Sequence, residues 1–123
     1  MRLELTQEFY FESAHTLRRE LDAESSRRVH GHTYHAEVTV LGEPDPRTGM
    51  VVDLAALRAH IESVRVLLDH RLLNEIEGLG PPTIENLACF IGRKLRTLEP
   101  RVVAVRVGRR ASGDSCLVRL PLV

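Results

Sequence analysis

At 123 residues the chain has room for one hydrophobic core and not two, so residues 1–123 are expected to form a single domain. Apolar residues make up 43% of it, too many for a disordered chain, and no run approaches the about 18 consecutive apolar residues that would mark a membrane span. The 17 basic side chains balance the 17 acidic ones, which leaves no basic field to attract nucleic acid.

Residues 2–14 alternate, with Leu3, Leu5, Phe9 and Phe11 on one side and Glu4, Thr6, Glu8 and Glu12 on the other. That is the period-two pattern of a half-buried strand. The opening MRLELTQEF lacks the apolar block of a signal peptide. From Thr16 to Val29 runs a charged loop (LRRELDAESSRR), longer than a hairpin needs; such loops are usually functional or mobile. A second strand is expected from about Gly31 to Leu41, ending in the turn-forming stretch GEPDPRTG. Asp53 then stands where it can cap a helix whose apolar stripe is Leu54, Leu57, Ile61, Val64 and Leu68. The pair Asp69-His70 is expected at the end of that helix, before RLLNEIEGLG breaks the pattern.

Pro81-Pro82-Thr83 opens a second helix, with Thr83 as N-cap, Glu85 in the first turn, and Ile84, Leu87, Ile91 and Leu95 as its buried stripe. Two closing strands follow, RVVAVRV (Arg101–Val107) and CLVRLPLV (Cys116–Val123), joined by GRRASGDS. Cys89 and Cys116 form no C-x-x-C and sit in periodic segments, so they read as buried free thiols of a cytoplasmic protein. The order implies an α+β fold in which two helices cover one face of a four-stranded antiparallel sheet. Such a sheet keeps two open edges, which assembly into a closed ring would remove, so an oligomer is expected.

Three histidines flank the charged loop. His15 closes the first strand and shares the parity of Phe9 and Phe11; His30 and His32 open the second and share the parity of Tyr34, Ala36 and Val38. Paired as a hairpin, the strands bring all three imidazoles to one apolar-walled point. Three neutral histidines with a fourth position open is the usual arrangement of a catalytic zinc. The same residues would also serve as turn caps or core hydrogen-bonding histidines. His35 has the opposite parity and is not expected to be a ligand.

Five motifs in order carry a resemblance: Phe11-x-x-Ala14-His15, His30-Gly31-His32-x-Tyr34, Asp45-x-x-x-Gly49-Met50-Val51-x-Asp53, Leu68-Asp69-His70 with Asn74, and Pro82-Thr83-x-Glu85-Asn86. In these the chain resembles the 6-pyruvoyl-tetrahydropterin synthase and 6-carboxy-tetrahydropterin synthase family over nearly its whole length. The resemblance implies the tunnelling fold, β-β-α-α-β-β subunits assembled as homohexamers (dimers of trimers), with active sites between subunits. It implies Zn²⁺ on His15, His30 and His32 and a lyase acting on 7,8-dihydroneopterin triphosphate. The short form of the chain is more similar to the carboxy branch, whose product leads to queuosine. Asp69 and His70 match the family's acid and imidazole by position: a carboxylate orients the ring and leaves its other nitrogen to move protons. Without the resemblance, a charge pair at a helix C-terminus would be the simpler reading of those two residues. Thr83 is implied near the pterin, although its capping role accounts for it by itself, and Arg28 near the triphosphate.

Two positions depart from the family pattern. Where the family carries its catalytic cysteine, four residues before His30, this chain has Ser26. A serine hydroxyl is far too weakly acidic to begin as an anion, so Ser26 would relay a proton or Glu24 would act as the base. Where the family carries a pterin-anchoring glutamate, the chain has Arg109, whose guanidinium offers only donors. Asp114 or another carboxylate would have to replace that contact. The two departures keep two other functions open: a zinc-binding paralogue acting on another pterin or purine-like substrate, and a non-catalytic zinc or ligand-binding protein.

Overall fold

The computed structural model describes residues 1–21 and 23–121. Its elements run β1 (Leu3–His15), α1 (Ala23–Arg27), β2 (His30–Gly42), α2 (Leu54–Arg65), a 3₁₀ turn (Leu73–Glu75), α3 (Ile84–Leu98), β3 (Val102–Arg109) and β4 (Asp114–Arg119). The strands form one antiparallel sheet in the order β1-β2-β3-β4, so β1 and β4 are its edges, with β1 covered at Glu12 and Ala14 by the segment from Asp69 to Leu72. The fold class is α+β, as the order of elements implied.

One face of the sheet is apolar because each strand's alternation points the same way. Phe11 on β1, Tyr34, Val38 and Val40 on β2, and Val102, Val105 and Val107 on β3 are fully buried. Onto that face α2 lays Leu57, Ile61 and Val64, and α3 lays Leu87, Ile91 and Leu95. Both helices begin at the residues their caps predict. The Asp53 carboxylate accepts from the Ala55 and Ala56 amides at 2.8 and 3.4 Å, and Thr83 Oγ1 accepts from the Asn86 amide at 3.2 Å. Asp53→Ala should therefore lower stability by about 1 kcal/mol. Urea denaturation checks this; an unchanged midpoint would mean that water satisfies those amides equally well.

The structure differs from the sequence expectation in three places. The loop between β1 and β2 contains α1, a five-residue helix too short to show periodicity. It has Glu24 in its first turn and Arg27 in its last, which suits the helix dipole. Next, α2 ends at Arg65 and not at Asp69-His70. The Leu67 and Leu68 amides bond to the carbonyls three residues back, Val64 and Arg65, and the chain uncoils into a turn. Leu68 remains fully buried, so the apolar stripe outlasts the helix that it suggested. Finally, β4 spans Asp114–Arg119, starting and ending earlier than the expected Cys116–Val123. Residues 122 and 123 of that expectation lie outside the described residues. Among the described residues no helix is long and apolar enough to cross a membrane.

Candidate metal centre and its adjoining cavities

The β1–β2 register puts His15 directly opposite His30 and Ser13 opposite His32. Because side chains alternate across a sheet, all three imidazoles emerge on the helix-covered face at one end of the hairpin. Their ring centroids lie 4.5, 4.8 and 4.9 Å apart, with interplanar angles of 74°, 88° and 90°. The Nε2 of His15 lies 2.9 Å from that of His30 and 3.1 Å from that of His32, and the three potential ligand atoms all fall within 4.8 Å of one another. His15 is buried, and the other two are half-buried.

The second nitrogens decide what this cluster can do. His15 Nδ1 lies 2.8 Å from the Pro82 carbonyl, and His30 Nδ1 lies 2.7 Å from the Arg28 carbonyl. A carbonyl only accepts, so each Nδ1 must carry the proton, and each neutral ring turns a bare Nε2 lone pair toward the other. Two lone pairs at 2.9 Å repel unless a cation stands between them. Tetrahedral zinc with Zn–N bonds of about 2.0–2.1 Å would separate its ligands by about 3.3 Å, close to the spacing seen. The residues thus fit a zinc ion, and backbone carbonyls supply the outer contacts that usually orient such ligands.

The surroundings also favour neutral rings. Burial pushes the His15 pKa down, although the Pro82 carbonyl opposes it, and His30 and Arg109 lower it further. His32 is pushed from 6.5 to about 4, by burial first and then by His15, Arg109 and His30. Tyr34 is fully buried with its hydroxyl 3.3 Å from His15 Nδ1, and burial raises its pKa to about 12.

Two concavities adjoin the cluster. One, of about 640 Å³, is walled by His15, Arg18, Thr83, Glu85, Arg109 and Asp114. The other is walled by Glu12, Ser13, His32, Thr33 and His70. The second is lined by the imidazole of the acid–imidazole pair, with Asp69 behind it. His70 Nδ1 donates to Asp69 Oδ2 at 2.8 Å, while Asp69 Oδ1 accepts from the Glu12 amide at 2.9 Å. The Glu12 amide is the first cause of the lowered Asp69 pKa, with His70 and Arg65 adding to it against some desolvation. His70 adopts φ 56°, a left-handed conformation that non-glycine residues rarely take, and its amide donates to the Glu12 carbonyl at 2.7 Å. Its ring is largely exposed. Strand β1 therefore holds the backbone of this turn, and the strain points to a positional demand on the imidazole.

The other expected residues are spread along the loop and the far hairpin. Ser26 is buried in α1, and its carbonyl accepts from the Leu17 amide at 2.8 Å. Glu24 meets Arg28 at 3.1 Å in an exposed ion pair, so both of these charges sit in solvent. From the same loop it is Arg18 and Arg19 that wall the larger cavity. Arg109 is clamped by Asp114, with Nε–Oδ1 at 2.9 Å and Nη2–Oδ2 at 2.8 Å. His35 faces the other side of the sheet, and its buried Nδ1 has no hydrogen-bond partner in the structure. Cys89 and Cys116 are free thiols, half-buried instead of buried as expected.

Sequence reasoning missed the outer contacts. The Pro82 and Arg28 carbonyls are main-chain groups, invisible to residue type. Asn74 also went without a role. Its side chain accepts from the Thr16 amide at 2.9 Å and donates to the Thr16 carbonyl at 3.0 Å, pinning the chain directly after His15. A polar residue within RLLNEIEGLG was the available hint, but its partner lies far off in sequence.

A family model described as 6-pyruvoyl tetrahydropterin synthase matches residues 4–119. The 6-carboxy-5,6,7,8-tetrahydropterin synthase of Synechocystis sp. is 40% identical over 93 residues, covering 72% of this chain and 70% of that protein. The dihydroneopterin monophosphate aldolase of Pyrococcus furiosus is 35% identical over 96 residues, covering 78% and 77%. Among solved structures, Caenorhabditis elegans 6-pyruvoyl tetrahydropterin synthase matches with a TM-score of 0.86 at 26% identity, over 98% of this chain and 97% of that one. The tunnelling fold expected from the motifs is therefore the fold of this chain. With the match running from the first strand to the last, the chain belongs to the 6-pyruvoyl tetrahydropterin synthase family.

Proposed function

We propose that the protein is a zinc-dependent lyase of the 6-carboxy-tetrahydropterin synthase type, acting on 7,8-dihydroneopterin triphosphate. The observation that carries this reading is the convergence of three imidazoles, two of them tautomerically locked by backbone carbonyls so that their Nε2 atoms are free to ligate. His15, His30 and His32 hold the metal. When bound, zinc supplies Lewis-acid polarisation of a substrate hydroxyl at its open position. His70 moves protons at its Nε2 while Asp69 holds Nδ1–H and stabilises the cation. Thr83 and Arg109 wall the cavity that receives the ring. Arg28 spends one Nη2–H on Glu24 in an exposed pair and keeps its other donors for the triphosphate.

His15 borders one concavity, His32 and His70 border the other, and β4 and most of β1 present unpaired sheet edges. Those unpaired edges support a homohexamer, a dimer of trimers, in which one subunit's Asp69-His70 serves a neighbour's histidines.

A second reading has its own support. Ser26 stands where a thiol base was expected, and one relative is named as an aldolase. Retro-aldol cleavage of the side chain needs a base but no thiol, and Glu24 or His70 would supply it. Incubating the zinc-loaded protein with dihydroneopterin triphosphate and with the monophosphate, then identifying products by mass, separates the readings. Acetaldehyde with a 6-carboxy ring supports the synthase. A 6-hydroxymethyl ring with a phosphorylated two-carbon aldehyde supports the aldolase. No turnover of either would leave a ligand-binding protein.

A further inference from the structure

The two cysteines of the chain take no part in the metal centre, and the fold brings them to one contact. Cα atoms of α3 and β4 come within 8 Å of one another. Gly92 permits that approach, since a Cβ there would stand 3.1 Å from Leu120 Cδ1 and 3.3 Å from Leu120 Cδ2. Leu120 directly follows β4, so Gly92 marks the face of α3 that lies on this strand. Glu85 marks the same face near the start of the helix, where it walls the larger cavity together with Asp114. Cys89 stands four residues after Glu85 and three before Gly92, which places it between them on that face. On β4 the half-buried residues are Asp114, Cys116 and Val118, alternating with exposed Ser115, Leu117 and Arg119. Val118 packs against the core under the helices, and Cys116 shares its face, so Cys116 turns toward α3. With Glu85 beside Asp114 and Gly92 beside Leu120, Cys89 falls opposite Cys116. Both are half-buried free thiols.

We infer that Cys89 and Cys116 form a reversible dithiol–disulfide site, closed by exchange with a low-molecular-weight disulfide, that latches α3 to β4 beside the larger cavity. Disulfides span Cα separations of about 4.4–6.8 Å, a range that this packing approaches. A Cys89 thiolate attacks one sulfur of the small disulfide, whose S–S bond breaks and releases one thiolate. The Cys116 thiolate then attacks the Cys89 sulfur of the mixed disulfide and expels the second. Two protein thiols are oxidised, one small disulfide is reduced to two thiols, and the two protein protons pass to those thiols. The order of attack follows from the surroundings. Burial first, then Glu85 and Cys89, push the Cys116 thiol up against some relief from Arg106, so it serves as the second nucleophile, with its target already beside it. Pairing of β4 by its edge would engage main-chain groups and leave this face to α3, so the site is compatible with the assembly proposed above. Closing it holds Glu85 and Asp114, two walls of the cavity, at a fixed separation. The inference does not depend on the pteridine reading.

The test is to equilibrate the zinc-loaded protein with glutathione disulfide, block remaining thiols with N-ethylmaleimide, and weigh the intact chain. The expected product is a single chain two hydrogens lighter, carrying neither glutathione nor maleimide. Dithiothreitol should return it to a form that takes up two maleimides. Because the link restricts the unfolded chain, the oxidised protein should show a higher urea midpoint than the reduced one. Cys89→Ser and Cys116→Ser each leave one thiol, so they should yield only the mixed disulfide with glutathione and no such rise. Equal urea midpoints of reduced native protein and reduced variants certify that the variants are folded. Two glutathiones on one chain, chains linked in pairs, or two maleimides after long exposure would each overturn the inference. So would an internal disulfide that lowers the urea midpoint, since the fold would then have to distort to bring the two thiols together.

Discussion

Replacing His30 and His32 together with alanine is expected to strip the protein of zinc, while single replacements leave it weakly and partly loaded. Losing only an outer contact to a metal ligand typically costs about 10–100-fold in affinity. Removing two of three ligands from one site goes well beyond that, since His15 alone would remain. Metal content after dialysis, measured by atomic absorption, reads the result. Full occupancy in the double variant would sink the assignment of this cluster. His30 and His32 are half-buried, so the fold should survive their loss; His15 is 1% exposed within the core, and its replacement should lower thermal stability as well.

Acid should act on the same cluster, with a sign set by the histidines. A histidine whose folded pKa is lowered stays neutral in the native state while the unfolded chain takes up a proton. His32, moved from 6.5 to about 4, therefore adds to the stability of the metal-free protein fully above pH 6.5 and loses that contribution as the pH falls toward 4. His15, shifted in the same direction, adds to the effect. Urea midpoints of the metal-free protein should fall through this window, and less steeply in His32→Ala. Equal slopes in the two proteins would show that other groups dominate.

His70→Ala is expected to reduce turnover by about 10²–10⁴, the usual contribution of a positioned general acid or base. The loss should appear in kcat more than in KM, because the ring moves protons and does not wall the cavity that binds the heterocycle. Asp69→Asn should cost less. An amide oxygen can still orient His70 Nδ1–H, but it cannot stabilise an imidazolium as a carboxylate does. If the site is shared between subunits, mixing inactive His70→Ala chains with inactive His30→Ala, His32→Ala chains through unfolding and reassembly should restore part of the activity. Each mixed assembly would then contain some intact pairings of metal ligands from one chain with His70 from another. No recovery in mixed assemblies of proven composition would place the whole site within one chain. A stable monomer in sedimentation at micromolar concentration would do the same.

How far the site was legible follows from the range of the interactions that build it. The histidine cluster depends on two short-range facts, strand parity and the pairing of the strand ends on either side of one loop. Both stand in the spacing of His15, His30 and His32, and the register confirms them. The caps Asp53 and Thr83 are likewise local, because a side-chain oxygen bonds amides two or three residues on. Apolar stripes locate buried faces dependably but not helix ends: Leu68 stays in the core from a turn, since packing needs the side chain's position and not the helical backbone.

Arg109 marks the other limit. By residue type alone it appears as a donor in place of an acceptor, with Asp114 as one candidate to compensate. Only the folded hairpin shows that the two neutralise each other, which turns a missing carboxylate into a clamped guanidinium. The same holds for the carbonyls of Pro82 and Arg28, which fix the ligating tautomers, and for the left-handed turn that presents His70. Pattern and periodicity by themselves determined the α+β class, the buried face of each strand and the three converging imidazoles, because those follow from local geometry repeated along the chain. Which tautomer each ring takes, what Arg109 faces, and how the acid–imidazole pair stands apart from the larger cavity were decided by tertiary structure, because each is a contact between groups that only the closed fold brings within hydrogen-bonding distance.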